Sequence, residues 1–218
     1  NKELETFAYV ASHDLKSPLR GIAQLSTWIE EDLEEQQFAE VNKHTMMLRN
    51  RIQRMEKLLD DLLTFYRAGK TDGNLVQVDV AHMAKELFDI QNTKPGLHLE
   101  LAENLPNFTT LSTPFEQVLR NLFSNAIKHH DRDEGIIRLE ARQLNQDFYE
   151  FTVIDDGPGI PAQYQERVFG MFQTLKPRDE IEGSGMGLAL IKKIIEAYSG
   201  KIRVHSEGRG CRFTFTWP

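Results

Sequence analysis

Asp155-Asp156-Gly157-Pro158-Gly159-Ile160, followed 24 residues after Gly159 by Gly183-Ser184-Gly185-Met186-Gly187-Leu188, decides how the rest of this 218-residue chain is read. The residues before it, Phe148 to Ile154, alternate as a β-strand does, so Asp155 stands at a strand end. Glycine lets backbone come within van der Waals reach of a ligand and adopt positive φ. A carboxylate fixed at the end of an apolar strand accepts a hydrogen bond from an amino group. Two glycine clusters this close therefore suggest a nucleotide cradle.

Working back along the chain, Thr113 to His130 reads as a helix, with Thr113 as its cap and Pro114 at its first position. Asn121, Asn125 and Lys128 are spaced by four and three, which places them on one face. The stripe opposite, Val118, Leu119, Leu122, Phe123 and Ile127, supplies the core contact. An Asn carbonyl is a suitable oxygen ligand for Mg²⁺, which keeps several waters and bridges phosphates. Alone, each of these three residues reads as part of a solvated helix face; beside the two glycine clusters they read as a site. His129 and His130, adjacent on a helix, point about 100° apart and make a poor metal pair.

A second singular element lies near the start: Ala11-Ser12-His13-Asp14-Leu15-Lys16-Ser17-Pro18-Leu19-Arg20. One nitrogen of a neutral His13 imidazole can attack a γ-phosphoryl group while the other keeps its proton, and Asp14 can hold that tautomer or accept a proton. Ser17 lies one helical turn on. Pro18 removes the hydrogen bond to the Asp14 carbonyl and crowds it, which predicts a local kink. With the nucleotide cradle, this segment points to phosphoryl transfer from ATP to a histidine. His44, His82, His98, His130 and His205 read as structural or merely exposed.

These segments carry a resemblance. Asn121-Leu122-Phe123-Ser124-Asn125-Ala126-Ile127-Lys128, Asp155-Asp156-Gly157-Pro158-Gly159, Phe169-Gly170-Met171-Phe172 and Gly183-Ser184-Gly185-Met186-Gly187-Leu188 resemble the N, G1, F and G2 boxes of sensor histidine kinases, in family order. The His13 segment resembles the H box, so the similarity spans essentially the whole chain. It implies a dimerisation and histidine phosphotransfer domain followed by a Bergerat-type ATP-binding domain. The resemblance gives Asp155 the adenine amino group, Asn125 the Mg²⁺, and Asn121 and Lys128 the phosphates. Gly157, Gly159, Ile160, His129, Phe169, Phe172, Gly183, Gly185, Met186, Gly187 and Leu188 complete the nucleotide site, with residues 173 to 184 as a lid. His13 becomes the phosphate acceptor and Asp14 its general base. Two positions depart from the family pattern: His129 stands where Tyr or Phe is usual, and Ser17 where Thr or Asn orients water for dephosphorylating a partner.

Residues 1 to 68 hold only Gly21 and Pro18 as breakers. Leu4, Phe7, Ala11, Leu15, Ile22, Leu25, Ile29 and Leu33 recur at helical steps, as do Val41, Thr45, Leu48, Ile52, Met55, Leu59, Leu62 and Phe65. Two long amphipathic helices follow, turning at about Glu34 to Glu40. One hairpin cannot shield both stripes, so pairing with a second copy into a four-helix bundle is expected. Residues 70 to 75 read as a linker between a domain at 1–69 and another at 76–218. The second is an α/β sandwich: strands at Val76 to Val80, Leu97 to Leu101, Ile136 to Arg142, Phe148 to Ile154, Lys201 to His205 and Arg212 to Trp217, and helices at about 81 to 93, Thr113 to His130 and Gly187 to Tyr198. Its last two strands form a hairpin, so the sheet is mixed, and the fold class is α+β.

The net charge of −7 argues against a general nucleic-acid binder. The single Cys211, within an alternating strand, reads as a buried structural thiol in a reducing, cytoplasmic setting. There is no run of about 18 apolar residues and hence no expected membrane contact in this segment. Asn1 has no Met before it, which suggests a piece of a longer protein with sensor domains or membrane spans upstream. The expected function is ATP-dependent autophosphorylation of His13 and transfer to an Asp of a response-regulator receiver domain, with phosphatase action through Ser17 as a further expectation. Two rivals are an ATP-binding dimeric scaffold without catalysis, and an ATP-hydrolysing machine of the chaperone and mismatch-repair type. The latter uses a Glu where Asn121 stands, and an amide cannot act as that base.

Overall fold

A computed structural model describes the backbone of residues 2–69, 74–175 and 185–218, and the side chains of residue 16 and of 18–69, 74–175 and 185–218. The chain divides into two compact units, Asn1–Leu63 and Thr64–Pro218.

The first unit is a helical hairpin. Helix α1 (Lys2–Glu34) runs through Pro18, and α2 (Phe38–Arg67) begins after a turn in which Gln36 takes φ +56°. At the turn end, His44 Nδ1 lies 2.7 Å from Asp32 Oδ2, and the Trp28 ring packs 5.3 Å from the His44 ring. Further up, Gly21 leaves room for the Arg51 guanidinium, which occupies the place of a side chain there. Among the described residues of this unit only Leu25 and Leu58 are buried apolar side chains, while Leu19, Trp28, Met47, Ile52, Leu59 and Leu63 stay exposed. Of the described stripe residues, Leu33, Ile52 and Leu59 are exposed, Leu25 is buried and the others are half-buried.

The second unit is built on two sheets. A small antiparallel pair joins β1 (Leu75–Asp79) to β3 (Asn107–Leu111). The main sheet is mixed, in the order β2 (Gly96–Leu101), β4 (Glu134–Gln143), β5 (Tyr149–Asp155), β7 (Cys211–Trp217), β6 (Ile202–His205). Only β2 and β4 run parallel; β6 and β7 form the terminal hairpin. Helices α3 (Val80–Gln91), α4 (Ser112–His129) and α5 (Gly187–Ala197) share one core with the sheet. Phe115, Phe151, Phe215 and Trp217 interlock at its centre, with ring centroids 5.0 to 6.3 Å apart. Burying these rings and the α4 stripe fixes α4 against the central strand β5, which carries Asp155 at its end.

Strand β3 was not expected from the sequence. Its inward residues are Phe108 and Thr110, and the buried Thr110 interrupts the apolar alternation. Thr110 is accommodated because its Oγ1 accepts the indole N–H of the fully buried Trp217 at 2.8 Å. The expected Thr113 cap is also corrected. Helix α4 begins at Ser112 after an extended Leu111, with no side-chain cap, so Thr113 lies inside the first turn and Pro114 at its third position. That position still suits proline, because its missing N–H would have had no helical partner. The cap is better placed on α3, where Asp79 accepts the His82 N–H at 3.0 Å.

Candidate nucleotide site

Helix α4 buries Phe115, Val118, Leu119, Leu122, Phe123, Ala126 and Ile127, so its opposite face is turned away from the core. That face carries Asn121 and Asn125, both half-buried, and the exposed Lys128 and His129. The Asn121 amide is oriented: its Nδ2 donates to the Gln117 carbonyl at 2.8 Å. Its Oδ1 points at the start of α5, 2.9 Å from where a Cβ on Gly187 would be. No side chain caps that end of α5 among the described residues, and a helix start is where backbone amides can receive an anion.

Gly185 takes φ +72°, and a Cβ there would meet the Phe172 carbonyl carbon at 2.8 Å. The backbone at Gly185 therefore lies directly on that of Phe172 and Gln173. Phe172 itself is buried at φ +61°, a conformation that costs a non-glycine residue energy and is held by its surroundings. Phe169 packs edge-on to Phe213 in the core, 6.3 Å between centroids. Met186 is buried and Leu188 half-buried, on either side of Gly187.

Asp155 is half-buried at the end of β5, where its Oδ1 accepts the Gly157 N–H at 3.0 Å. Burial pushes its carboxyl above the usual carboxylate range, against the opposing pull of the Gly157 and Cys211 amides. Such a partly desolvated acceptor is well suited to an amino group on a ligand. The turn beyond is anchored: Gly159 takes φ +81°, the Ile160 N–H donates to Ser206 Oγ at 2.9 Å, and Gln165 Nε2 donates to the Ile160 and Ser206 carbonyls at 3.0 and 2.7 Å. Cys211 sits behind Asp155 with its thiol pushed up to about 12, by burial first and by the Asp155 charge second. It is a structural thiol, not a nucleophile.

Asn121 is thus brought to Gly187, Phe172 to Gly185, and Asp155 to Gly157. Gly183 lies outside the described residues, as do the lid positions from 176 to 184; the His13, Asp14 and Ser17 side chains also lie outside, their backbone being part of α1. His130, read from the sequence as structural or merely exposed, is the former. Its side chain is fully buried, with Nε2 2.9 Å from Asp156 Oδ1. Burial works against the Asp156 charge, but the His130 contact and the Ile136 amide outweigh it and hold that carboxyl below the usual range. Ser206 and Gln165 were passed over; as ordinary polar residues remote in sequence, they gave no pattern to find.

Comparison with known proteins shows the family. Residues 110–218 match the family described as histidine kinase-, DNA gyrase B- and HSP90-like ATPase, and residues 3–71 match the His Kinase A (phospho-acceptor) domain. Cyanobacterial phytochrome A of Nostoc sp. is 36% identical over 227 residues, covering 100% of this chain and 29% of that protein. The methanogenesis regulatory histidine kinase FilI of Methanothrix harundinacea is 32% identical, covering 100% of this chain and 25% of that protein. This chain therefore spans under a third of those relatives. Among solved structures, histidine kinase ThkA in complex with response regulator protein TrrA has a TM-score of 0.70 at 22% identity, covering 98% of this chain and 61% of that one. Full-length ShkA in complex with AMPPNP has a TM-score of 0.67 at 24% identity, covering 98% and 45%. No helix among the described residues is long and apolar enough to cross a membrane. A phospho-acceptor match and an ATPase match in one chain, on a fold shared with kinase structures, place the chain in the histidine kinase family.

Proposed function

We propose that this chain is the catalytic core of a two-component kinase: residues 76–218 bind ATP, residues 1–69 dimerise and present His13, and 70–75 link them. The observation that carries this reading is the meeting of Asn121 with Gly187 at the start of α5, in the same unit as the partly desolvated Asp155. The residues present fit a nucleotide and its metal. Asp155 offers a carboxylate to the adenine amino group, and the α5 amides face phosphate. Asn121 and Asn125 offer amide oxygens of the kind Mg²⁺ accepts, with Asn125 as its ligand. Lys128 adds charge for phosphate. Gly157, Gly159 and Ile160 border the adenine side; Gly183, Gly185, Met186, Gly187 and Leu188 border the phosphates, with His129, Phe169 and Phe172 along the lid. When bound, Mg²⁺ neutralises phosphate charge.

A His13 nitrogen then attacks the γ-phosphorus. The new N–P bond forms as the bond to the β-phosphate oxygen breaks, ADP departs, and Asp14 takes the imidazole proton. The phosphoryl group passes next to an Asp of a response-regulator receiver domain; a kinase of similar fold is seen with such a partner. Incubation with γ-labelled ATP and Mg²⁺ tests the reading. The label should be lost in acid and kept in base, as a phosphoramidate is. An acid-stable label, or free phosphate without protein label, would favour a hydroxyl acceptor or a plain ATPase instead.

A further inference from the structure

We infer that His130 and Asp156 are a positioning pair that sets the Asp155 carboxylate for the adenine amino group; the inference rests on the nucleotide reading of the site. His130 directly follows α4, the helix that carries Asn121 and Asn125, and its side chain is fully enclosed. Nδ1 lies 3.2 Å from the Arg132 N–H and 3.1 Å from the Arg132 carbonyl. Whichever of these it engages, a lone pair on Nε2 would repel the carboxylate 2.9 Å away, so Nε2 carries a proton and donates it to Asp156 Oδ1. The same oxygen accepts the Ile136 N–H of β4 at 2.8 Å.

Two strands and the end of α4 are thereby fastened to one atom, one peptide away from Asp155. Gly135 gives the imidazole its space, since any Cβ there would overlap the ring. The segment is held at two further points. Lys94 Nζ donates to the His130 carbonyl at 2.7 Å, and Arg209 grips Asp131 with two bonds of 3.1 and 2.7 Å. Asp156 itself is half-exposed. Its contact is therefore a modest source of stability, yet it fixes the peptide that aims its neighbour's carboxylate. Ligand geometry held to within a fraction of an ångström is what such support supplies.

The test is a double-mutant cycle on the full chain, read as ATP affinity by calorimetry with thermal unfolding alongside. Asp156→Ala should weaken ATP binding about tenfold, the order of one lost charge-assisted contact. Asp156→Asn, whose Oδ1 can accept both donors, should recover affinity to within about twofold. In an Asp155→Asn background, Asp156→Ala should cost less than about twofold more, because the carboxylate it positions is gone. His130→Gln, which keeps a donor at similar reach, should bind better than His130→Ala. If Asp156→Ala weakens ATP equally in both backgrounds, the pair is merely structural and the inference is wrong. If Asp156→Ala changes nothing while Asp155→Asn does, it is wrong as well. If Asp155→Asn itself leaves affinity unchanged, the nucleotide reading fails rather than the pairing.

Discussion

Asn121 and Gly187 meet where α5 begins: a Cβ on Gly187 would come 2.9 Å from Asn121 Oδ1. Gly187 has no unusual φ, so its requirement is space and not backbone freedom. The amide it accommodates is anchored through Nδ2 on Gln117, leaving Oδ1 little choice but to turn away if a methyl intrudes.

Gly187→Ala should therefore fold well, since alanine favours helix over glycine. It should re-aim Asn121 and lower the initial rate of protein labelling by about tenfold or more, as small misplacements at a reacting centre do. Thermal unfolding and labelling are measured together. Normal labelling in a stable variant would mean that Asn121 has no part in the phosphate site.

His13→Gln should abolish labelling while leaving ATP affinity within about twofold, a difference of under 0.5 kcal/mol. Acceptor and cradle are assigned to different domains, so losing one should not disturb the other. Full labelling of this variant would move the acceptor to another residue.

The α4 core stripe and the mixed sheet with its terminal hairpin were legible in the sequence because each shows in local pattern. Periodicity exposes Val118, Leu119, Leu122 and Phe123 as core whatever they touch. Strand β3 was hidden because buried Thr110 depends on Trp217, 107 residues away. The support under the site was hidden for the same reason: His130 to Asp156 spans 26 residues and Ile160 to Ser206 spans 46. Hydrogen bonds between polar residues far apart in sequence leave no period, whereas an apolar stripe does.

The hairpin should be a dimer in solution. Its exposed Ile52, Leu59 and Leu63 share one face of α2 and give an apolar surface that a lone hairpin leaves in water. Light scattering should give twice the 25.2 kDa of one chain. Replacing both Leu48 and Ile52 with Glu should dissociate or unfold it. A monomer at micromolar concentration in the unmodified protein would refute the four-helix bundle.

Ser17→Ala should slow dephosphorylation of a bound regulator more than it slows His13 labelling. A small hydroxyl one turn from His13 can orient water, but it neither activates imidazole nor neutralises phosphate charge. Labelling of His13 and decay of phosphorylated regulator are compared in both proteins. Equal decay rates would remove Ser17 from this role and leave the kinase reading standing.

Asp155→Asn should move binding and stability in opposite directions. Burial raises the folded-state pKa of Asp155, so the folded chain binds this proton more readily than the unfolded chain does. The charged carboxylate therefore subtracts stability above that raised pKa, and the penalty is relieved as pH falls through it toward the ordinary carboxylate value. An amide carries no such penalty, and its oxygen can still accept the Gly157 N–H. The nucleotide-free variant should unfold about 2 °C higher than the parent at neutral pH, with the gain shrinking in acid across that window. ATP affinity should meanwhile weaken by about 1.5 to 3 kcal/mol, the range for a hydrogen bond to a charged group. Calorimetry and thermal melts across pH supply both readings. A variant that is less stable at neutral pH but binds ATP as before would show that Asp155 is a structural carboxylate and that the adenine is read elsewhere.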